Sequence, residues 1–386
     1  MSAWLIIFGR THELSYHELV VHIALPVTRI TPDVSRIDDF QDEVVPEQLI
    51  ERLGGTVKIA CVKGSIPSLD ALMLASFLKD DTELHTFGIS VYGLASAMDS
   101  EMPRRVKEIL AEQGVHARYV LPHEGSTLSS VVVTKQHVRE LIVVAAEDGF
   151  VVGVTVAVQG FEAWNQRDYG RPFADPKAGM LPPKVARMVV NIAEQSKVQS
   201  PKSKVLLDPF CGMGTILGEA LLTGWNVIGS DQSVESVGKA RKNLEWLAKL
   251  TGRDPVMNLF VSDATHVSEH IPQASVDAIV TEPFMGNTAI SEKQEARSIS
   301  LDTIRNVTKG LEKLYIGCLR DWRGVLKPAG KIVIALPQYA IHAKTFFVKN
   351  VIDRCENLGY TVTLGPLTYS RPQAIVRRQF YIFQKK

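Results

Sequence analysis

The stretch Val205–Gln232, VLLDPFCGMGTILGEALLTGWNVIGSDQ, decides the fold. An apolar run of strand length ends in Asp208. Gly212 and Gly214 follow at a spacing that lets the backbone turn sharply and approach a ligand closely. Thr215 then opens a helical pattern, TILGEALLTG, and a second apolar run, WNVIGSD, ends in Asp231 with Gln232 behind it. In an open α/β sheet, ligands sit at the carboxyl ends of strands where the winding reverses. An acid about 20 residues after such glycines can accept hydrogen bonds from ribose hydroxyls.

The pattern continues downstream. A third strand, MNLFVSD, ends at Asp263 beside Ala264, where an acid and neighbouring N–H groups can read an adenine edge. A fourth, VDAIVT, delivers Glu282, Pro283 and Phe284 in the run TEPFMGN. The third glycine of the usual dinucleotide fingerprint is absent, as is the Lys-Ser/Thr of a phosphate loop. No Lys or Arg lies between Asp208 and Gly224, so a pyrophosphate lacks a basic partner. A ligand with a ribose and an amine, such as S-adenosylmethionine, suits the four acids better.

Outward from this stretch, strand and helix signals alternate to the C-terminus through GKIVIALP and RRQFYIFQ, which predicts a mostly parallel sheet wound with helices. Upstream, NQRDYGRPFADPKAGMLPP is rich in Gly, Pro and polar residues and reads as a linker. The helix PPKVARMVVNIAEQSK comes after it. In the N-terminal half, ELSYHELVVHIAL, VVPEQLIERLGG, SLDALMLASFLKD and EMPRRVKEILAEQG read as helices. AWLIIF, GTVKIACVKG, HTFGISVYGL, VHARYVL, SSVVVTKQHV, RELIVVAAEDG and GFVVGVTVAVQG read as strands.

The chain of 386 residues has the composition of an ordinary globular protein. The expectation is a cytoplasmic protein with no membrane span and no signal peptide, because each apolar run is short and interrupted. The four cysteines form no CxxC, which argues against a zinc site or disulfide framework and fits a reducing compartment. His266 and His270 share a helical spacing without an evident third ligand, so no metal is expected. The formal net charge of +1 is unevenly spread: residues 1–165 carry 13 Lys and Arg against 22 Asp and Glu, and residues 166–386 carry 30 against 20. A polyanion would find its footprint on the basic C-terminal half.

DPFCGMGTILGEAL, GSDQS, SDAT and TEPFMGN resemble the motifs of Rossmann-like S-adenosylmethionine-dependent amino-group methyltransferases. The upstream NQRDYGRPFADPKAGMLPPKVARMVVNIA resembles the corresponding segment of tRNA guanine-N2 methyltransferases of the guanosine-10 type. LIIFGRTHELSYHEL resembles their ferredoxin-like domain, FGISVYG through VAVQGFEAWNQRDYGRP their THUMP domain, and PLTYSRPQAIVRRQFYIF their last strands. The resemblance implies an α/β fold: a Rossmann-like methyltransferase domain preceded by α+β ferredoxin-like and THUMP-like units. The expected divisions are 1–85 ferredoxin-like, 86–165 THUMP-like, 166–203 linker and lead-in helix, and 204–386 methyltransferase.

Carried over to this chain, Asp208, Gly212, Gly214 and Thr215 would line the methionine side of S-adenosyl-L-methionine. Asp231 and Gln232 would hold the ribose, Asp263 and Ala264 the adenine, and Glu282, Pro283 and Phe284 the target amine. Arg167 and Arg171 are the candidate phosphate contacts. The implied partners are tRNA or another structured RNA, with a small activating subunit as a further candidate. The fourth motif departs from the family's Asp-Pro-Pro-Tyr: the acid is one methylene longer and the second proline is absent. That leaves two rival readings open, an amino-methyltransferase of DNA or another RNA, and a non-catalytic RNA-binding protein retaining the fold.

Overall fold

The structure is a computed structural model. It describes all residues except 1–2, 24, 39–44, 82, 95–97, 175–179, 195–203, 253–255, 287–299, 342–343 and 372–373. The chain forms two compact units, residues 1–163 and 164–386.

The first unit is built on one eight-stranded sheet. Its strands are β1 (Trp4–Phe8), β2 (Val27–Thr31), β3 (Val34–Ile37), β4 (Thr56–Ile66), β5 (Thr86–Tyr92), β6 (Arg118–Val120), β7 (Arg139–Ala146) and β8 (Gly149–Val158). They lie in the order β2-β3-β1-β4-β8-β7-β5-β6. Alternation along β1 decides the faces: Ile6 and Phe8 join one apolar cluster, Leu5 and Ile7 another. The cluster around Ile6 takes in Leu19 of α1 (His12–His22) and Leu49 and Ile50 of α2 (Pro46–Arg52). Further along, α3 (Ala71–Ser76) and α4 (Met102–Glu112) bury Leu74, Val106 and Leu110 against β5, β7 and β8.

β8 pairs with both β4 and β7, so one sheet runs through the ferredoxin-like and THUMP-like stretches. One sequence expectation is revised in this unit. SSVVVTKQHV, read as a strand, contains helix α5 (Ser130–Lys135). The Ser129 hydroxyl accepts from the Val132 amide at 3.3 Å and caps it. Burial of Val133 beside Leu128 and Val138 then outweighs the weak strand preference of the β-branched run. At the sheet centre lies a polar knot that no hydrophobic pattern announces. Lys58 Nζ donates to Glu140 Oε1 at 2.5 Å and to the Leu128 carbonyl at 2.7 Å, with both side chains buried.

The second unit carries helix α7 (Pro183–Ala193) and a sheet of β9 (Val205–Asp208), β10 (Asn226–Asp231), β11 (Met257–Val261), β12 (Val276–Thr281), β13 (Leu326–Ile341), β15 (Tyr360–Tyr369) and β16 (Val376–Lys385). Helix α6 (Phe161–Tyr169) leads into it and occupies part of the segment read as linker. The order is β11-β10-β9-β12-β13-β16-β15, with β14 (Lys344–Phe347) paired to β13. β11, β10, β9, β12 and β13 are parallel neighbours, whereas β16 runs antiparallel to β13 and to β15.

Each apolar run read as a strand here is one. The chain winds outward from β9 through α8 (Thr215–Leu222) and β10, then through α9 (Val234–Thr251) to β11, and returns on the other side of β9 as β12. The winding therefore reverses between β9 and β12, which is where a ligand is expected. Helix α10 (Leu301–Val325) presents Tyr315, Leu319 and Trp322, all fully buried, to the core beside β12 and β13. Helix α11 (Lys349–Arg354) is short. Among the described residues no helix is long and apolar enough to cross a membrane.

Candidate active site

The turn after β9 is built by its glycines. Gly212 and Gly214 have φ of +50° and +82°, a region that costs most other residues strain. Gly214 stands at the N-terminus of α8, and its amide donates to the Cys211 carbonyl at 2.7 Å. Asn243 of α9 braces this turn from behind: its Nδ2 donates to the Met213 carbonyl and the Phe173 carbonyl, each at 2.9 Å, and its Oδ1 accepts from the Phe173 amide at 2.9 Å. Cys211 is a buried thiol whose pKa burial pushes well up, which suits a filler in the turn and not a nucleophile.

Three acids converge on the switch point. Asp208, 1% exposed, accepts on Oδ1 from the Phe210 amide at 3.1 Å and from the Thr281 hydroxyl at 2.7 Å. Burial raises its pKa to about 7; the two hydrogen bonds oppose that rise, and the charges of Asp231 and Glu282 add to it. Asp231 accepts one backbone N–H on each oxygen, from Gly212 at 3.1 Å and Ser233 at 2.9 Å. Each oxygen keeps a second lone pair for a ligand hydroxyl. Gln232 is exposed beside it.

Glu282 follows β12 directly. Its carboxylate is paired with Arg378 of β16. Burial raises its pKa, opposed by Arg378, by Arg371 and by the Leu181 amide. Asp263, at the end of β11, is exposed and accepts from the amide and hydroxyl of Thr265 at 2.8 and 2.7 Å, which hold its carboxyl below the usual range. The Ala264 carbonyl accepts from Trp322 Nε1 at 2.8 Å, fixing this rim of the site to α10. Asp208, Asp231, Asp263 and Glu282 thus stand at the carboxyl ends of β9, β10, β11 and β12.

The loop 283–286 is pinned by two buried phenols. Tyr315 donates to the Phe284 carbonyl and Tyr339 to the Met285 carbonyl, each at 2.6 Å. Pro283 is buried, whereas Phe284 is 55% exposed. The Pro283 carbonyl accepts no hydrogen bond from the described residues. Residues 282–284 therefore offer an acid, a carbonyl that accepts no hydrogen bond from the described residues, and an exposed aromatic residue.

The two arginines singled out in the sequence are turned inward. Arg167 Nε donates to Glu219 Oε1 at 2.8 Å and its guanidinium lies 4.0 Å from the Trp164 ring centroid. Arg187 meets the same carboxylate at 2.7 Å. Arg171, 8% exposed, donates from Nη1 to the Thr215 hydroxyl at 2.7 Å. Both side chains fix the segment ahead of α7 against α8, and neither stands on an open surface. Thr281, Tyr315, Tyr339, Asn243 and Arg378 support the site and were not singled out in the sequence. Only the Arg377-Arg378 pair inside an apolar strand carried a signal, since period-two alternation must aim one of the two into the fold.

Residues 170–356 match the family model described as UPF0020: RMKL-like, methyltransferase domain. The chain is 30% identical over 216 residues to a tRNA (guanine(10)-N2)-dimethyltransferase of Pyrococcus abyssi, covering 56% of this chain and 53% of that protein. It is 34% identical over 197 residues to one of Methanothermobacter thermautotrophicus, covering 51% and 50%. The chain thus spans about half the length of the curated relatives it matches. The solved structure of TrmN from Thermus thermophilus superposes with a TM-score of 0.57 at 18% identity, covering 100% of both chains, so the likeness there is one of fold. Residues 170–356, a little under half of the chain, thus match the RMKL-like methyltransferase family model, and the sheet of the same unit has the reversed winding of a doubly wound α/β fold.

Proposed function

We propose that the protein is an S-adenosylmethionine-dependent methyltransferase acting on an exocyclic amine of a nucleobase in structured RNA, namely N2 of guanine in tRNA. The observation that carries the reading is the convergence of Asp208, Asp231 and Glu282 on the switch point of the sheet, with the exposed Phe284 face beside them. The names of the matched relatives, tRNA (guanine(10)-N2)-dimethyltransferases, support the choice of base and RNA.

The donor set fits the cofactor. S-adenosylmethionine carries a ribose, an α-ammonium and a sulfonium, and the strand ends carry four acids beside a glycine turn that lets a ligand approach closely. Asp231 holds the ribose hydroxyls, Asp263 and Ala264 border the adenine, and Asp208 with the turn at Gly212–Thr215 faces the methionine end. When bound, the cofactor supplies a methyl carbon attached to a sulfonium. On the acceptor side, the guanine N2 lone pair is conjugated with the ring and is a weak nucleophile. Glu282 and the Pro283 carbonyl accept the hydrogens of this amine and return electron density to nitrogen. The pinned loop would hold the base close to the methyl group of the bound cofactor, a proximity effect. Phe284 stacks on a base turned out of its helix. The basic second unit, at +10 against −9 for the first, supplies the phosphate attraction.

Nucleoside mass spectrometry tests the reading. Unmodified tRNA incubated with the protein and labelled cofactor is expected to yield label in N2-methylated guanosine. Label in DNA or in another RNA, with none in tRNA, would favour the second substrate class, and an absence of label in all of them would favour the non-catalytic reading.

A further inference from the structure

The methylene by which Glu282 exceeds the aspartate of related motifs has a partner two strands away. Thr281, the last residue of β12, lies opposite Ile334 of β13. Arg378 of β16 lies opposite Pro337, three residues further toward the carboxyl end of β13. Neighbouring strands are about 4.8 Å apart, so a group on β16 reaches the end of β12 only across the full width of β13. An arginine stem and a glutamate stem together span that gap, and their charged ends meet. The Arg378 side chain is 11% exposed and its guanidinium lies 5.7 Å from the Tyr369 ring centroid, so it is held on both sides.

We propose that Arg378 is a positioning residue of the methyl-transfer site: from across β13 it holds the Glu282 carboxylate ionised and aimed, and the longer acid at 282 is matched to it. The inference rests on Glu282 being the acid that receives the acceptor amine. A carboxylate accepts on two oxygens, so Arg378 Nε on Oε1 leaves Oε2 with capacity for an amine hydrogen. Among the described residues, the charged and titratable groups facing Glu282 are Arg378 from β16, Arg371 from the segment before it, Asp208 from β9 and Tyr315 from α10. Without Arg378, a buried acid near Asp208 retains only the more exposed Arg371 as a cationic neighbour among these groups. It then takes up a proton and stops accepting one.

The sign follows. Loss of Arg378 raises the Glu282 pKa, so the acidic limb of the rate profile moves to higher pH. The test measures single-turnover methyl transfer to tRNA against pH for the full chain and for Arg378→Met and Arg378→Lys, together with cofactor affinity. For Arg378→Met the limb is expected to rise by at least one pH unit and the rate at pH 7 to fall at least tenfold. Cofactor affinity is expected to stay within twofold, and Arg378→Lys to fall between. Glu282→Asp is expected to lose rate in the wild-type background and little more in Arg378→Met, because the pair is already broken. A wild-type limb and rate in a folded Arg378→Met or Arg378→Lys chain would overturn the role of Arg378 alone. A wild-type protein that methylates no RNA would overturn the reading of Glu282, and this inference with it.

Discussion

Thr281 Oγ1 donates to Asp208 Oδ1 at 2.7 Å, a buried bond between the last residues of two adjacent parallel strands. It ties β9 to β12 where the winding reverses. It also spends one lone pair of an acid that burial holds at a pKa of about 7. A cationic ligand favours the ionised form of Asp208. Above pH 7 that form is already present, and below it binding must expel a proton. Cofactor affinity is therefore expected to weaken as pH falls from 7, approaching tenfold per unit. Calorimetry at pH 6 in buffers of different ionisation heat measures the proton released. Equal heats in both buffers would show that Asp208 does not face the cationic end of the ligand.

The same acid has a stability consequence. Its folded pKa of about 7 lies above the ordinary 3.8, so the unfolded chain gives up this proton first. Between about pH 4 and 7 the folded state binds more protons than the unfolded, and stability falls as pH rises. Asp208→Asn removes the titration and keeps an oxygen to accept from Thr281. The variant is expected to gain up to about 4 kcal/mol over wild type at pH 8 and much less at pH 4, while losing cofactor binding. Urea unfolding at the two pH values reads the difference, and a variant that gains nothing at pH 8 would contradict the buried-acid assignment.

The succession of strands along the chain around this acid is legible because apolar runs, glycine turns and strand-end acids are local signals. Asp208, Asp231, Asp263 and Glu282 were each placed at a strand end by the residues beside them, and each stands at one. What sets their chemistry was not legible, since it comes from residues distant in sequence. Thr281 lies 73 positions from Asp208, and Arg378 lies 96 from Glu282. The inward turn of Arg167 and Arg171 was hidden for the same reason: Glu219 and Thr215 are 52 and 44 positions away. In the first unit, a run of valines spelled a strand until Ser129 capped it as a helix. Lys58 interrupts β4 in the sequence, yet Glu140 makes it part of the core.

Phe284 separates function from stability with one substitution. The residue is 55% exposed, so truncation removes little buried area. Phe284→Ala is expected to change unfolding free energy by no more than about 0.5 kcal/mol. Stacking on a base is worth about 1–3 kcal/mol, so methyl transfer to RNA should fall roughly 5- to 150-fold. Cofactor affinity should not change, and Phe284→Tyr should restore most of the rate. Transfer that survives in Phe284→Ala would remove the ring from the acceptor site.

Tyr315 tests whether the loop must be held rigid. The residue is fully buried, and its hydroxyl donates to the Phe284 carbonyl at 2.6 Å. Tyr315→Phe keeps the ring and leaves that carbonyl without its donor, a loss of about 1–3 kcal/mol when water cannot replace it. Part of the cost falls on the folded state. Part is relieved by movement of the loop that carries Glu282 and Phe284, and that movement misplaces the acceptor. Tyr360 provides the control, being equally buried in the same unit and donating to the Leu319 carbonyl at 2.8 Å, within α10 and away from the loop. Both variants are expected to unfold at lower denaturant concentration by similar amounts. Only Tyr315→Phe is expected to slow methyl transfer, by about tenfold, with cofactor affinity intact. If the two variants slow transfer equally, the effect of Tyr315 is one of general stability, and the loop's anchoring has no separate part in catalysis.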